Sequence, residues 1–221
     1  MDTPDDVCRF SEVSVAFGAS PVIEHFTLAV PPASVTVVTG ENGSGKTTLL
    51  KAAAGLVEPT AGTVYVKERE VDETQTWFRR AVAVVLDDMD FFPALTLAQN
   101  LELIARAHRV PRPGDLVARL LSEWGMEALA SRSPRTLSSG QWQRLSVATA
   151  VVRPAELVIL DEPEKRLDAS GVLWIASVIK ALRTGGASVL MASHSTQLVE
   201  AIGGCQVVHL GKGPDGTPEG P

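Results

Sequence analysis

An α/β fold built around a parallel sheet is what these 221 residues predict, and three observations carry it. Short apolar, β-branched runs at 34–39, 82–86, 157–160 and 187–192 lack the alternation of a half-wet strand, as strands covered on both faces do. Stretches with helical spacing separate the later runs, at 97–130, 141–152 and 169–182. The first run leads straight into a glycine-rich segment and then into good helix formers, in strand, loop, helix order.

Along the chain, residues 7–17 and 26–30 read as two strands, because valine, phenylalanine and leucine alternate with small or polar residues. Pro31-Pro32 ends the second. After the strand at 34–39 and its loop, residues 47–54 continue as a helix. Residues 55–62, with glycine at both ends and Pro59 between, form a turn before a strand at 63–67. The run 82–86 is a buried strand. From 97 to 130 alanine, leucine and arginine dominate, interrupted at Pro111-Arg112-Pro113-Gly114, which gives a small helical insertion spanning about 88–152 once the helix at 141–152 is included. The strand at 157–160, the helix at 169–182 and the strand at 187–192 follow. Gly, Pro and charge in 211–221 predict a mobile tail after a single domain over 1–210. There is no internal repeat.

Bulk properties narrow the classes. Two cysteines, Cys8 and Cys205, are too few and too far apart for a disulfide framework or a metal cluster, and fit a reducing cytosol. The acidic start is not followed by an apolar stretch, and no run approaches the roughly 18 apolar residues of a membrane span. Any membrane function therefore needs a separate protein. The net charge of −6 and isoelectric point near 5.3 give no support for nucleic-acid binding, which uses a clustered basic surface.

Two segments carry phosphate chemistry. In Gly40-Glu41-Asn42-Gly43-Ser44-Gly45-Lys46-Thr47 the glycines let backbone amides turn inward around phosphate oxygens, and the helix that follows adds its positive end. Lys46 would reach the β- and γ-phosphates, Thr47 would offer its hydroxyl to Mg²⁺, and Thr48 would sit near the α-phosphate. A bare surface glycine turn is the competing reading, weakened by the strand before and the helix after. Asp161-Glu162 follows a buried strand at the end where α/β sheets place ligands. Asp161 can hold Mg²⁺ and Glu162 can take a proton from an attacking water, although a strand end with two solvated acids has the same pattern.

A third segment narrows the class. Leu137-Ser138-Ser139-Gly140-Gln141 places a hydroxyl, free amides and a helix start near Gln141 at one point, as an ordinary N-cap also does. With the phosphate loop upstream and the acid pair downstream, this chain resembles the ATPase subunit of an ATP-binding cassette (ABC) transporter over about residues 7–210. The resemblance implies a P-loop NTPase core with a parallel sheet, an N-terminal antiparallel β subdomain and a small helical subdomain. It implies ATP and Mg²⁺ as ligands, with residues 40–48 as the nucleotide loop, Asp161 as the Walker B aspartate and Glu162 as the catalytic glutamate. Ser138, Ser139, Gly140 and Gln141 are implied to contact the γ-phosphate of ATP bound to an opposite subunit, Ser139 standing where glycine is more frequent.

The same resemblance makes His194, after the last apolar strand, the switch histidine, and Phe17 the aromatic that stacks on adenine; a satisfied loop histidine and a core phenylalanine are the plain alternatives. Leu167-Asp168 resembles the loop that crosses the dimer interface, approached here through an unusual Lys165-Arg166. After the strand at 82–86 the family has a glutamine near Mg²⁺, where this chain has Asp87. The following Phe91-Phe92-Pro93-Ala94-Leu95-Thr96 keeps the alignment, so Asp87 is either a shorter, charged candidate beside the metal, with slow hydrolysis expected, or a solvated turn acid. The implied partners are a second copy or homologous ATPase subunit and an integral membrane permease, with the chain peripheral at the cytoplasmic face and no nucleic acid. A soluble ABC-type ATPase and a weakly hydrolysing regulatory module are the alternatives.

Overall fold

The computed structural model describes residues 6–87 and 89–211, so the expected tail lies, apart from Gly211, outside the described residues. An antiparallel hairpin opens the chain: β1 (Cys8–Phe17) pairs with β2 (Ser20–Val30), Cys8 opposite Val30 and Val15 opposite Ile23. The two-residue link holds Gly18 at φ 63°, a conformation that suits tight hairpins. β2 thus starts six residues earlier than expected, because Ser20–His25 pairs with β1 while burying only one side chain fully, Ile23. β4 (Ala61–Val66) adds to the other edge of β1, and β5 (Arg69–Glu70) to β4. At the tight crossing of β1 and β4, a Cβ on Gly62 would collide with the carbonyl of Glu12.

The second sheet is parallel, in the order β6 (Val82–Val85), β7 (Leu157–Asp161), β8 (Ser188–Ala192), β3 (Val35–Thr39), β9 (Gln206–His209). Every residue of β7 and β8 is buried, which is why these segments read as continuous apolar runs. Side-chain alternation distributes them between two cores. Leu157 and Ile159 join α1 (Lys46–Ala53) and the antiparallel sheet; Val158 and Leu160 join α6 (Ala169–Thr184) and α7 (Thr196–Ile202).

A third core lies between α3 (Leu97–Ala107), α4 (Pro113–Glu123) and α5 (Ser139–Val151). α5 serves two cores at once, with Leu145 and Ala148 in the helical cluster and Val147 and Ala150 against the parallel sheet. That double burial leaves it almost no amphipathic stripe, as a helix enclosed on several sides requires. Thr96 and Gln99 form a capping box at the start of α3, so the helical segment begins at a defined residue.

Two expectations need correction. β8 is not the last strand: β9 follows and pairs with β3, Val37 opposite Val207. Its four residues include one buried side chain, Val208, too little to stand out as a pattern. And α5 begins at Ser139, with Ser138 as its N-cap, not near Gln141.

Candidate nucleotide-binding site

The glycine-rich loop joins β3 to α1. Gly45, just before the helix, has φ 99°, and no side chain caps the helix start. A Cβ there would lie 2.9 Å from Val22 Cγ1, so conformation and space both require glycine. The first amides of α1 therefore have no side-chain partner and face outward with the positive end of the helix, an arrangement suited to an anion.

Lys46 is only 6% exposed. Its Nζ donates to the carbonyls of Gly40 at 2.9 Å and Glu41 at 2.8 Å, closing the loop on itself. Within that ring the Ser44 hydroxyl is buried with no hydrogen-bond partner. An unpaired buried hydroxyl is costly, and an incoming oxygen ligand would satisfy it. Glu41, Asn42, Gly43 and Thr47 are exposed at the rim, while Thr48 is half-buried.

The acid pair meets this loop across the sheet. Thr47 Oγ1 donates to Asp161 Oδ2 at 2.8 Å. Burial pushes the Asp161 carboxyl above its usual range, with Glu162 and Asp87 adding to the effect and the Thr47 hydrogen bond opposing it. Among the described residues no three His, Cys, Asp or Glu side chains gather to hold a metal ion. The hard oxygens of Thr47 and Asp161 instead fit Mg²⁺, which takes one or two protein ligands and completes its shell with phosphate and water.

Glu162 has φ 44°, a left-handed backbone unusual for glutamate, and its amide donates to the Ala192 carbonyl at 3.0 Å. Its carboxylate lies 3.5 Å from His194 Nε2 on one oxygen and 3.8 Å from Lys165 Nζ on the other. The fold thus brings Lys46, Thr47, Asp161, Glu162 and His194 to one end of the parallel sheet.

Glu164 was not legible as part of this group. Its Oε1 accepts from Ser193 Oγ at 2.5 Å and from the His194 amide at 3.3 Å, tying the segment after β7 to the segment after β8. In sequence it is one more acid near an acid pair, with nothing to separate it from a solvated residue.

Ser138 and Gln141 close a capping box: Ser138 Oγ accepts from the Gln141 amide at 3.2 Å, and Gln141 Oε1 accepts from the Ser138 amide at 3.0 Å. Gln141 is therefore the third helical residue, which moves Ser139 and Gly140 into the first turn. Beside them is an open cavity of about 630 Å³, bordered also by Arg144 and by Arg166 to Asp168, with no residue of the glycine-rich loop on its wall. Asp168 caps α6, accepting from the Gly171 amide at 2.7 Å, and that bond holds its carboxyl below the usual range.

Phe17 ends β1 with its side chain in solvent, 57% exposed, so it is not a core residue. Asp87 is not a lone turn acid: Lys165 Nζ donates to its Oδ2 at 2.8 Å, and Arg166 Nη2 lies 3.0 Å from its Oδ1. The Lys165 hydrogen bond holds the Asp87 carboxyl below the usual range.

Comparison with known proteins gives a consistent pattern. A family model described as ABC transporter matches residues 23–165. A putative 2-aminoethylphosphonate import ATP-binding protein of Salmonella typhimurium is 34% identical over 157 residues, 70% of this chain, and the match spans only 42% of that relative's length. A zinc import ATP-binding protein of Pseudomonas fluorescens is 33% identical over 196 residues, 88% of this chain and 70% of the relative. A solved ATP-binding subunit of an ABC transporter superposes with a TM-score of 0.83 at 25% identity, covering 92% of this chain and 85% of that one.

Proposed function

Because this chain belongs to the ABC transporter family, we propose that it is the ATP-binding and ATP-hydrolysing subunit of a transporter whose membrane-spanning part is a separate permease. The observation that carries the reading is the 2.8 Å contact between Thr47 and Asp161 beside a lysine folded into an uncapped helix start. On this reading residues 1–210 form one ATPase domain with a helical insertion at about 88–152.

ATP seats its phosphates at the start of α1. Lys46 exchanges the carbonyls of Gly40 and Glu41 for β- and γ-phosphate oxygens, and the uncapped first amides of α1 with the Ser44 hydroxyl supply further donors. Thr47 and Asp161 would hold Mg²⁺, which when bound neutralises phosphate charge. The exposed ring of Phe17 offers a face for adenine. Glu162 accepts the proton of the attacking water, and His194, 3.5 Å away, supports the γ-phosphate side of the same site.

Ser138 to Gln141 open onto a cavity that shares no wall with the nucleotide loop, which supports completion of the site by a second copy or a homologous subunit. Among the described residues no helix is long and apolar enough to cross a membrane. Attachment at the cytoplasmic face is therefore assigned to the permease, which also selects the cargo.

The test is ATP hydrolysis by the purified chain with Mg²⁺. Glu162→Gln should abolish turnover while ATP binding persists; hydrolysis at the parental rate would remove Glu162 from its role. Purification from native membranes should bring down an integral membrane protein, and repeated absence of one would point to a soluble ATPase.

A further inference from the structure

Two departures from the family's residues meet in one place. Asp87, just beyond β6, stands where the resemblance implies glutamine, and Lys165-Arg166 is the approach to Leu167-Asp168 that the same resemblance makes unusual. They are far apart in sequence, yet the ammonium of Lys165 and the guanidinium of Arg166 take one oxygen each of the Asp87 carboxylate, at 2.8 and 3.0 Å. The same ammonium lies 3.8 Å from Glu162 Oε2. The first distance is a hydrogen bond and the last lies outside hydrogen-bond range. Lys165 is thus placed between two carboxylates and hydrogen-bonded to Asp87, not to Glu162.

Arg166 contributes the second hold. Its backbone is left-handed, φ 66°, and its guanidinium engages the Asp87 oxygen that Lys165 leaves. With both oxygens engaged, the Asp87 carboxylate is fixed toward the basic pair. On the other side of Glu162, His194 Nε2 lies 3.5 Å from its Oε1. The oxygen facing Lys165 is therefore the one whose availability depends on where that ammonium sits.

We propose that Asp87, Lys165 and Arg166 form one positioning unit, in which the Asp87 carboxylate holds Lys165 away from Glu162 and keeps Glu162 Oε2 available to the attacking water. The inference rests on the reading of Glu162 as proton acceptor. Without the Asp87 charge, Lys165 turns to the other carboxylate with which it is paired and occupies it. Asp87 is then no handicap. The family's glutamine at this position is harmful in this chain unless Lys165 is replaced as well, the reverse of what the length and charge of aspartate suggest from sequence alone.

The experiment compares parent, Asp87→Gln, Asp87→Glu, Lys165→Ser and the Asp87→Gln/Lys165→Ser double variant by steady-state ATPase kinetics, with a crystal structure of Asp87→Gln. Asp87→Gln should lose about fivefold in kcat with KM for ATP changed less than about twofold, and the double variant should recover most of that loss. Asp87→Glu, which keeps the charge, should retain more turnover than Asp87→Gln. In the Asp87→Gln crystal Lys165 Nζ should move into hydrogen-bond contact with Glu162. A rise in kcat for Asp87→Gln, a double variant whose losses simply multiply, or an unmoved Lys165 would each overturn the proposal. Glu162→Gln run alongside separates the two ideas: parental turnover in that variant defeats the reading of the base, whereas an inactive Glu162→Gln with a faster Asp87→Gln defeats the positioning unit alone.

Discussion

Two helix starts in this molecule look alike in sequence and differ in how they are finished. α1 begins after Gly43-Ser44-Gly45 and α5 after Leu137-Ser138, both with small residues and hydroxyls. At α1 the preceding residue is left-handed and no side chain caps the helix. At α5 the cap is complete, with Ser138 and Gln141 satisfying each other. The first start holds its amides ready for a ligand within the same chain. The second is self-sufficient, and because Ser138 Oγ serves there as an acceptor, its O–H proton remains to be donated outward. Lack of a cap does not by itself set α1 apart, since α4 also follows a left-handed residue, Arg112, with no side-chain cap; what distinguishes α1 is the buried Lys46 and the unpartnered Ser44 hydroxyl beside its first turn.

The largest expected effect breaks the first half of that comparison. Lys46→Ala removes a cation held by the loop's own carbonyls and should weaken ATP binding by about 10- to 100-fold, the value of one or two charge-assisted hydrogen bonds, in calorimetry. Parental affinity would mean that the uncapped start of α1 is not where the phosphates sit.

The second half is tested by association. Glu162→Gln with saturating Mg-ATP should shift from monomer to dimer on a sizing column, since turnover no longer releases the ligand that links two copies. Adding Ser138→Arg should abolish the shift, because a long charged side chain replaces the outward hydroxyl. A dimer that survives Ser138→Arg would show that α5 does not face a partner.

Smaller effects sharpen the contrast in stability. Gly45→Ala forces a left-handed alanine whose Cβ would crowd Val22, and should cost about 1–3 kcal/mol in chemical denaturation. Ser138→Ala removes a working cap and should cost about 1 kcal/mol, measured the same way with nucleotide absent. If Ser138→Ala left stability unchanged, α5 would not depend on its capping box.

What sequence could reveal follows the same division between local and distant causes. The parallel strands were legible because burial on both faces writes itself as an apolar run in β7 and β8. The nucleotide loop, the acid pair and the serine-rich helix start are each contained in a few consecutive residues. Elements formed by pairing were not visible. β9 and the first half of β2 each bury one side chain fully, Val208 and Ile23, and are defined by their pairing with β3 and β1. The short helices α2 (Thr76–Ala81) and α7 offer two buried side chains each, too few for a helical period to declare itself. The exposure of Phe17 removes the core reading that its hydrophobicity had left open. The bond from Lys165 to Asp87 joins residues whose local patterns, a turn acid and a basic pair, say nothing about each other.

Glu164 has a mechanical consequence. One carboxylate oxygen receives both the Ser193 hydroxyl and the His194 amide, so two loops that leave neighbouring strands are stitched by a single atom. His194 is thereby held from both sides, by Glu164 through its amide and by its neighbour Ser195, which caps α7 by accepting from the Leu198 amide at 3.1 Å. The tie runs from one carboxylate to a hydroxyl and a backbone amide, so it leaves the imidazole ring of His194 out of the joint.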